Sequence, residues 1–306
     1  MANYHQVALL DYFRDKTRAA KPARVVVKTT RLKHGTLHWV RIDRLLRVND
    51  FATVDARAAG NTVTATTDNV REVTLALGDS PLDPAQPAAV ILNGMTAYTG
   101  PVQTVTLYAL LGPTGAITGW TAADPTPGVL HKTAAREGPI GDAYTKPFIV
   151  LYGAPADAQV AAENKALADA FCAHWNTWMH ASITSRADTT VTDAEIAGKN
   201  LILFGASYGD ARIGAIVHAL PLHVSAAGVT FRGQSWSGSQ YGAYFCYPNP
   251  ASPSRYVVVN HRAIPGTAPK DLEALPWYWP DYVIFDTNRP AGPTVQSSLR
   301  YLPDTF

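Results

Sequence analysis

A chain of 306 residues with 47% hydrophobic content has room for two globular domains. Its formal net charge of +2 argues against strong steering toward nucleic acid or a membrane surface. No apolar stretch approaches the ~18 residues of a membrane span. Cys172 and Cys246 lie far apart with no zinc-ligand spacing, so they read as buried free thiols.

The first 50 residues carry 11 Lys+Arg against 4 Asp+Glu, a net of +7, which leaves −5 for the remainder. The ordinary reading is a solvated face; the sharper one is docking on an acidic surface such as a partner domain. Residues 1–21 read as an N-terminal helix, with Val7, Leu10 and Phe13 at helical spacing. This stretch lacks a long apolar core and carries Asp11 and Asp15, so no signal peptide is expected, and the chain as written reads as cytoplasmic. From 22 to 125, short runs rich in Val and Thr are separated by turn residues such as Gly60-Asn61, Asp79-Ser80 and Asn93-Gly94. That texture predicts a β-sandwich domain. Residues 126–147, rich in Gly and Pro, read as a linker.

From 148 to 306 the pattern alternates. PFIVLYG, NLILFG, RYVVVN and DYVIFD are continuous apolar strands, and helices are predicted from Asp157 to Trp178 and from Ala211 to Leu220. Such alternation predicts a small doubly wound, Rossmann-like domain on a parallel sheet. The glycine-rich stretch Gly228–Tyr247 reads as an inserted hairpin.

In open α/β sheets ligands bind beyond the carboxyl ends of the strands. Gly205-Ala206-Ser207-Tyr208-Gly209 follows NLILF, His261 ends the RYVVVN strand, and Asp286 ends DYVIFD. Strand, G-x-S-x-G and helix are the layout of a nucleophile elbow. Ser207 would be the nucleophile, His261 the general base and Asp286 its orienting carboxylate, with the Tyr208 N–H as an oxyanion donor. The competing acids are Asp281 and Asp210; the competing bases are His218 and His223. The plainer readings are a helix-capping serine, a polar loop histidine and a turn-bracing aspartate. Trp277 and Trp279, between two prolines, and Trp236 would line an apolar substrate cleft or a mobile lid; packing onto the domain is the ordinary alternative.

GPIGDAYTKPFIVLYG, NLILFG, YPNP, RYVVVN and PDYVIFD, with HWVRID and TDNVREVTLAL upstream, resemble the C-terminal region of large bacterial serine hydrolases of the prolyl-oligopeptidase and esterase type. In that family an α/β-hydrolase domain carrying the catalytic serine precedes this region. The resemblance therefore implies an accessory part with a hydrolase domain as partner, and carries no catalytic residue onto this chain. GASYG after LF and a histidine directly after RYVVVN depart from the family pattern. Two readings follow. The residue types lean toward a cofactor-free, metal-free serine esterase of small carboxylic esters. The resemblance leans toward a non-catalytic accessory or binding module.

Overall fold

The computed structural model describes residues 11–14, 16–261, 280–286, 288 and 299–300. The chain is strand-rich, with four sheets among the described residues. No helix among them is long and apolar enough to cross a membrane. Of the N-terminal helix expected over 1–21, residues 11–14 are described and are helical, with Tyr12 and Phe13 exposed. Two compact units divide the chain, one running to Gly128 (Arg47–Asn49 excepted), the other starting at Val129.

The first unit contains β1 (Arg24–Thr29), β2 (Thr36–Leu37), β3 (Val40–Leu45), β4 (Ala52–Ala59), β5 (Thr62–Asp68), β6 (Val70–Ala76), β7 (Ala88–Leu92), β8 (Met95–Gly100), β9 (Thr104–Leu111) and β10 (Ile117–Thr121). They form two five-stranded sheets, ordered β1-β4-β5-β7-β8 and β10-β9-β6-β3-β2. Alternation along the strands sends Val25 and Val27, Val54 and Ala56, and Val73 and Leu75 into one core with Trp39. The Asn93-Gly94 turn joins β7 to β8 with both residues at positive φ (51° and 79°), which the right-handed twist of a hairpin favours. Arg44 is buried where β3 bulges; it faces Glu72 at 4.0 Å and donates to Thr126 Oγ1.

The second unit contains β11 (Phe148–Tyr152), β12 (Ser185–Ala187), β13 (Asn200–Phe204), β14 (Leu222–Ser225), β15 (Gly228–Phe231), β16 (Gln234–Ser237), β17 (Tyr241–Asn249), β18 (Ser252–His261), β19 (Tyr282–Asp286) and β20 (Leu299–Arg300). Its helices are α1 (Ala158–Met179), α2 (Asp193–Gly198) and α3 (Ala211–His218). The main sheet has the order β12-β11-β13-β18-β17-β19-β20. One face packs Ile202, Phe204, Tyr256 and Val258 under Ala168, Cys172 and Trp175 of α1. The other packs Leu201, Leu203, Val257 and Val259 under Ile196 of α2 and Ile213 and Ile216 of α3.

The expectation of a parallel sheet needs correction. β12, β11, β13 and β18 are parallel, but β17 runs antiparallel to both β18 and β19. The reason is the short connection from Asn249 to Ser252, which allows only an antiparallel hairpin. The stretch expected as an inserted hairpin is therefore split. β14, β15 and β16 form a three-stranded sheet of their own, while β17 is a buried strand of the main sheet.

The expected linker 126–147 is also not a free connector. Lys132 is buried, and its Nζ donates to Asp281 Oδ2 at 2.6 Å and to the Glu137 carbonyl at 2.7 Å. The Tyr256 hydroxyl donates to Asp142 Oδ2 (2.7 Å) and accepts from the Gly138 N–H (3.0 Å). Burial pushes this phenol well above its ordinary pKa. Asn200, the first residue of β13, donates to the Ala143 carbonyl. These bonds tie the segment to the amino-terminal rim of the sheet.

Candidate functional site

The carboxyl-terminal rim carries the predicted residues. β11, β13, β18 and β19 all run toward it, because two antiparallel steps through β17 restore the direction in β19. Ser207 stands there, exposed, three residues past β13. Its hydroxyl forms no hydrogen bond among the described residues, and its carbonyl accepts from Asn164 Nδ2 at 3.4 Å. Gly205 adopts φ +120°, while Ser207 does not enter positive φ. The positive φ in this loop is therefore taken by the glycine, which adopts it without a Cβ penalty.

The helix after the loop begins at Ala211, and Asp210 is its N-cap. The Asp210 carboxylate accepts from the N–H groups of Arg212 (2.8 Å) and Ile213 (3.2 Å). The capping-serine reading does not describe Ser207, since Asp210 does the capping. The Arg212 guanidinium beside Asp210, with those two N–H groups, holds the carboxyl below its ordinary range. A carboxylate at this helix end works against an oxyanion there. The Tyr208 N–H donates to no group among the described residues. Its phenol donates to the Gly205 carbonyl at 3.0 Å, and burial, then the Asp188 charge, push its pKa up.

His261 is 4% exposed and pairs with Ala243 across β17. Paired residues point to the same side, so the imidazole shares the face of Ala243, Val257 and Val259, under α3. Ser207 is held from the other side, by Asn164 of α1. No hydrogen bond joins Ser207 to His261.

Asp286 ends β19 opposite Tyr241, and its Oδ1 accepts from the Asn288 N–H at 2.9 Å, a turn brace. β17 lies between β18 and β19, so strand spacing alone separates Asp286 from the His261 strand by roughly 10 Å. From β13 the separation is roughly 14 Å. The rim thus holds serine, histidine and aspartate on three different elements. By pairing parity Asp286 shares the sheet face of His261, with β17 between them, and no hydrogen bond among the described residues joins any two of the three.

Of the competing groups, Asp281 pairs with Lys132 at the opposite rim, His218 ends α3, and His223 lies in β14. Trp236 lies in β16 opposite Val229 and packs against the core beneath α3. Trp277 and Trp279 lie outside the described residues. Cys172 and Cys246 are free and buried, and burial pushes the Cys172 thiol up to about 11.

The residues that organise the rim are ones the sequence reading passed over. The order β12-β11-β13 puts the topological switch point between β11 and β13. There Gly153 and Ala154, after β11, meet the loop Gly205–Gly209. A Cβ at Gly153 would overlap the Ser207 carbonyl oxygen, and one at Gly209 would overlap that of Ala154. Asn164 donates to the Gly153 carbonyl at 2.8 Å. Asp188, fully buried after β12, accepts from the Ala154 and Asp210 N–H groups at 2.9 and 2.8 Å. The only sequence signal was an acid directly after a short polar strand, SRAD. Comparison with protein-family models, curated proteins and solved structures finds no match to this chain.

Proposed function

We propose that this chain is a non-catalytic module, accessory to a serine hydrolase domain as its resemblance implies, which offers fixed surfaces rather than a reaction centre. In this reading the first unit is a β-sandwich. The second is a Rossmann-like sheet extended by antiparallel strands. One observation carries the reading: the switch point, where such a sheet would take a ligand, is filled by the chain's own loop, Gly205–Gly209. A serine whose hydroxyl is hydrogen-bonded to no base, as Ser207 is among the described residues, remains a weak nucleophile near neutral pH.

The carboxylesterase reading keeps two observations in its favour, the exposed Ser207 and the undonated Tyr208 N–H. Incubation with p-nitrophenyl acetate and butyrate separates the two. A non-catalytic module hydrolyses both at the same slow rate with and without Ser207→Ala. An esterase loses about a hundredfold or more in that variant.

A further inference from the structure

Dinucleotide-binding sheets use three features at the switch point. These are a glycine-bearing turn after the first strand, the N-terminus of the helix that follows, and an acid after the second strand. All three positions exist here, and the chain satisfies each internally. The Gly153-Ala154 turn packs under the Ser207 carbonyl. The N-terminus of α1 is capped by its own Asp157, which accepts from Gln159 and Val160. Asp188, after β12, spends both oxygens on main-chain N–H groups, one from each flanking loop.

We infer that Asp188 is the clasp of a self-occupied crevice, in which the loop Gly205–Gly209 stands where a bound ligand would stand. A single buried carboxyl group bridges the turn after β11 and the turn after β13. Removing it frees both loops at once, because the half-buried Ala154 and Asp210 N–H groups then lose the one acceptor they share. Among the described residues no cation pairs with Asp188, so main-chain dipoles alone stabilise it. Asn164 is a second tie, from α1, to the Gly153 and Ser207 carbonyls. The device is conformational: closed, it excludes ligands from the crevice and holds Ser207 on a fixed crest.

This inference rests on the non-catalytic reading, but its test reads amide exchange rather than turnover, so either can fail alone. Hydrogen exchange on the full chain is followed at single-residue resolution. In the unmodified protein the Ala154 and Asp210 amides should exchange about a hundredfold more slowly than those of Ser207 and Tyr208. In Asp188→Ala both should reach the Ser207 rate, while Val257–Val259 of β18 stay slow; Ser207→Ala should change none of these. The clasp is overturned by Ala154 and Asp210 exchanging at the Ser207 rate in the unmodified chain. It is overturned equally by protection that survives Asp188→Ala, or by β18 accelerating in step with the loops. Should Asp188→Ala fail to fold, the comparison within the unmodified chain decides.

Discussion

The two rims of the main sheet solve the same problem in different ways. At the amino-terminal rim, segment 129–144 is fastened by a buried ion pair, Lys132–Asp281, and by the Tyr256–Asp142 bond. At the carboxyl-terminal rim, loops are fastened by neutral or singly charged side chains, Asn164 and Asp188, bonded to main chain. The first arrangement buries opposite charges that depend on each other. The second closes a crevice by shape, with glycines that leave no room for a Cβ. The difference teaches that residue types suited to chemistry do not by themselves make a site. Ser207, His261 and Asp286 reach the correct rim from different elements, and no hydrogen bond among the described residues joins them. Asp188 and Asn164 decide how that rim is built.

The comparison breaks most visibly at the ion pair. Lys132→Ala leaves Asp281 buried without its cation and should lower unfolding free energy by about 3–5 kcal/mol in urea titration. Lys132→Met with Asp281→Leu should recover a large part of that loss. Recovery would separate charge burial from packing at this rim.

At the carboxyl rim the expected effects are steric and smaller. Gly153→Ala and Gly209→Ala each force a methyl group onto a carbonyl oxygen and should cost about 1–3 kcal/mol. Ser207→Ala, whose carbonyl but not its exposed side chain takes part in this packing, should stay within about 0.5 kcal/mol of the parent. Asp210→Ala removes the cap of α3 and should cost about 1 kcal/mol, read as a lower Tm.

The smallest expected effect is a pH dependence at α2. Glu195 is held at about 2, first by Arg186 and then by the Thr192 N–H, against an ordinary 4.5. A depressed carboxyl contributes stability that is complete above the ordinary value and is lost as pH falls toward the folded value. The capping box of Thr192 and Glu195 should therefore loosen between about pH 4.5 and pH 2 and be unaffected from pH 5 to 8. Exchange rates of the α2 amides across that range check it.

Much of the second unit was legible in the sequence. NLILF is a fully buried strand and FIVLY a partly buried one, and α1 starts one residue after the expected Asp157, which caps it. Strand pairing was not legible, because apolar periodicity fixes burial rather than neighbours. YGAYFCY, preceded by a glycine- and serine-rich stretch, therefore looked like part of an insertion when it is an interior strand. The orientation of His261 was available from parity: it follows Val257 and Val259 at even spacing and so shares their face. Asp188 gave little signal, since the strand before it has three residues. Asn164 is buried although it is a polar residue within a helix, a position that residue type alone does not mark.

Fluorophosphonate labelling followed by intact-mass measurement tests the central claim most directly, because the reagent reports an activated serine whatever the substrate. The account predicts no adduct on the folded chain at neutral pH. A stoichiometric adduct at Ser207, abolished by His261→Ala, would contradict it.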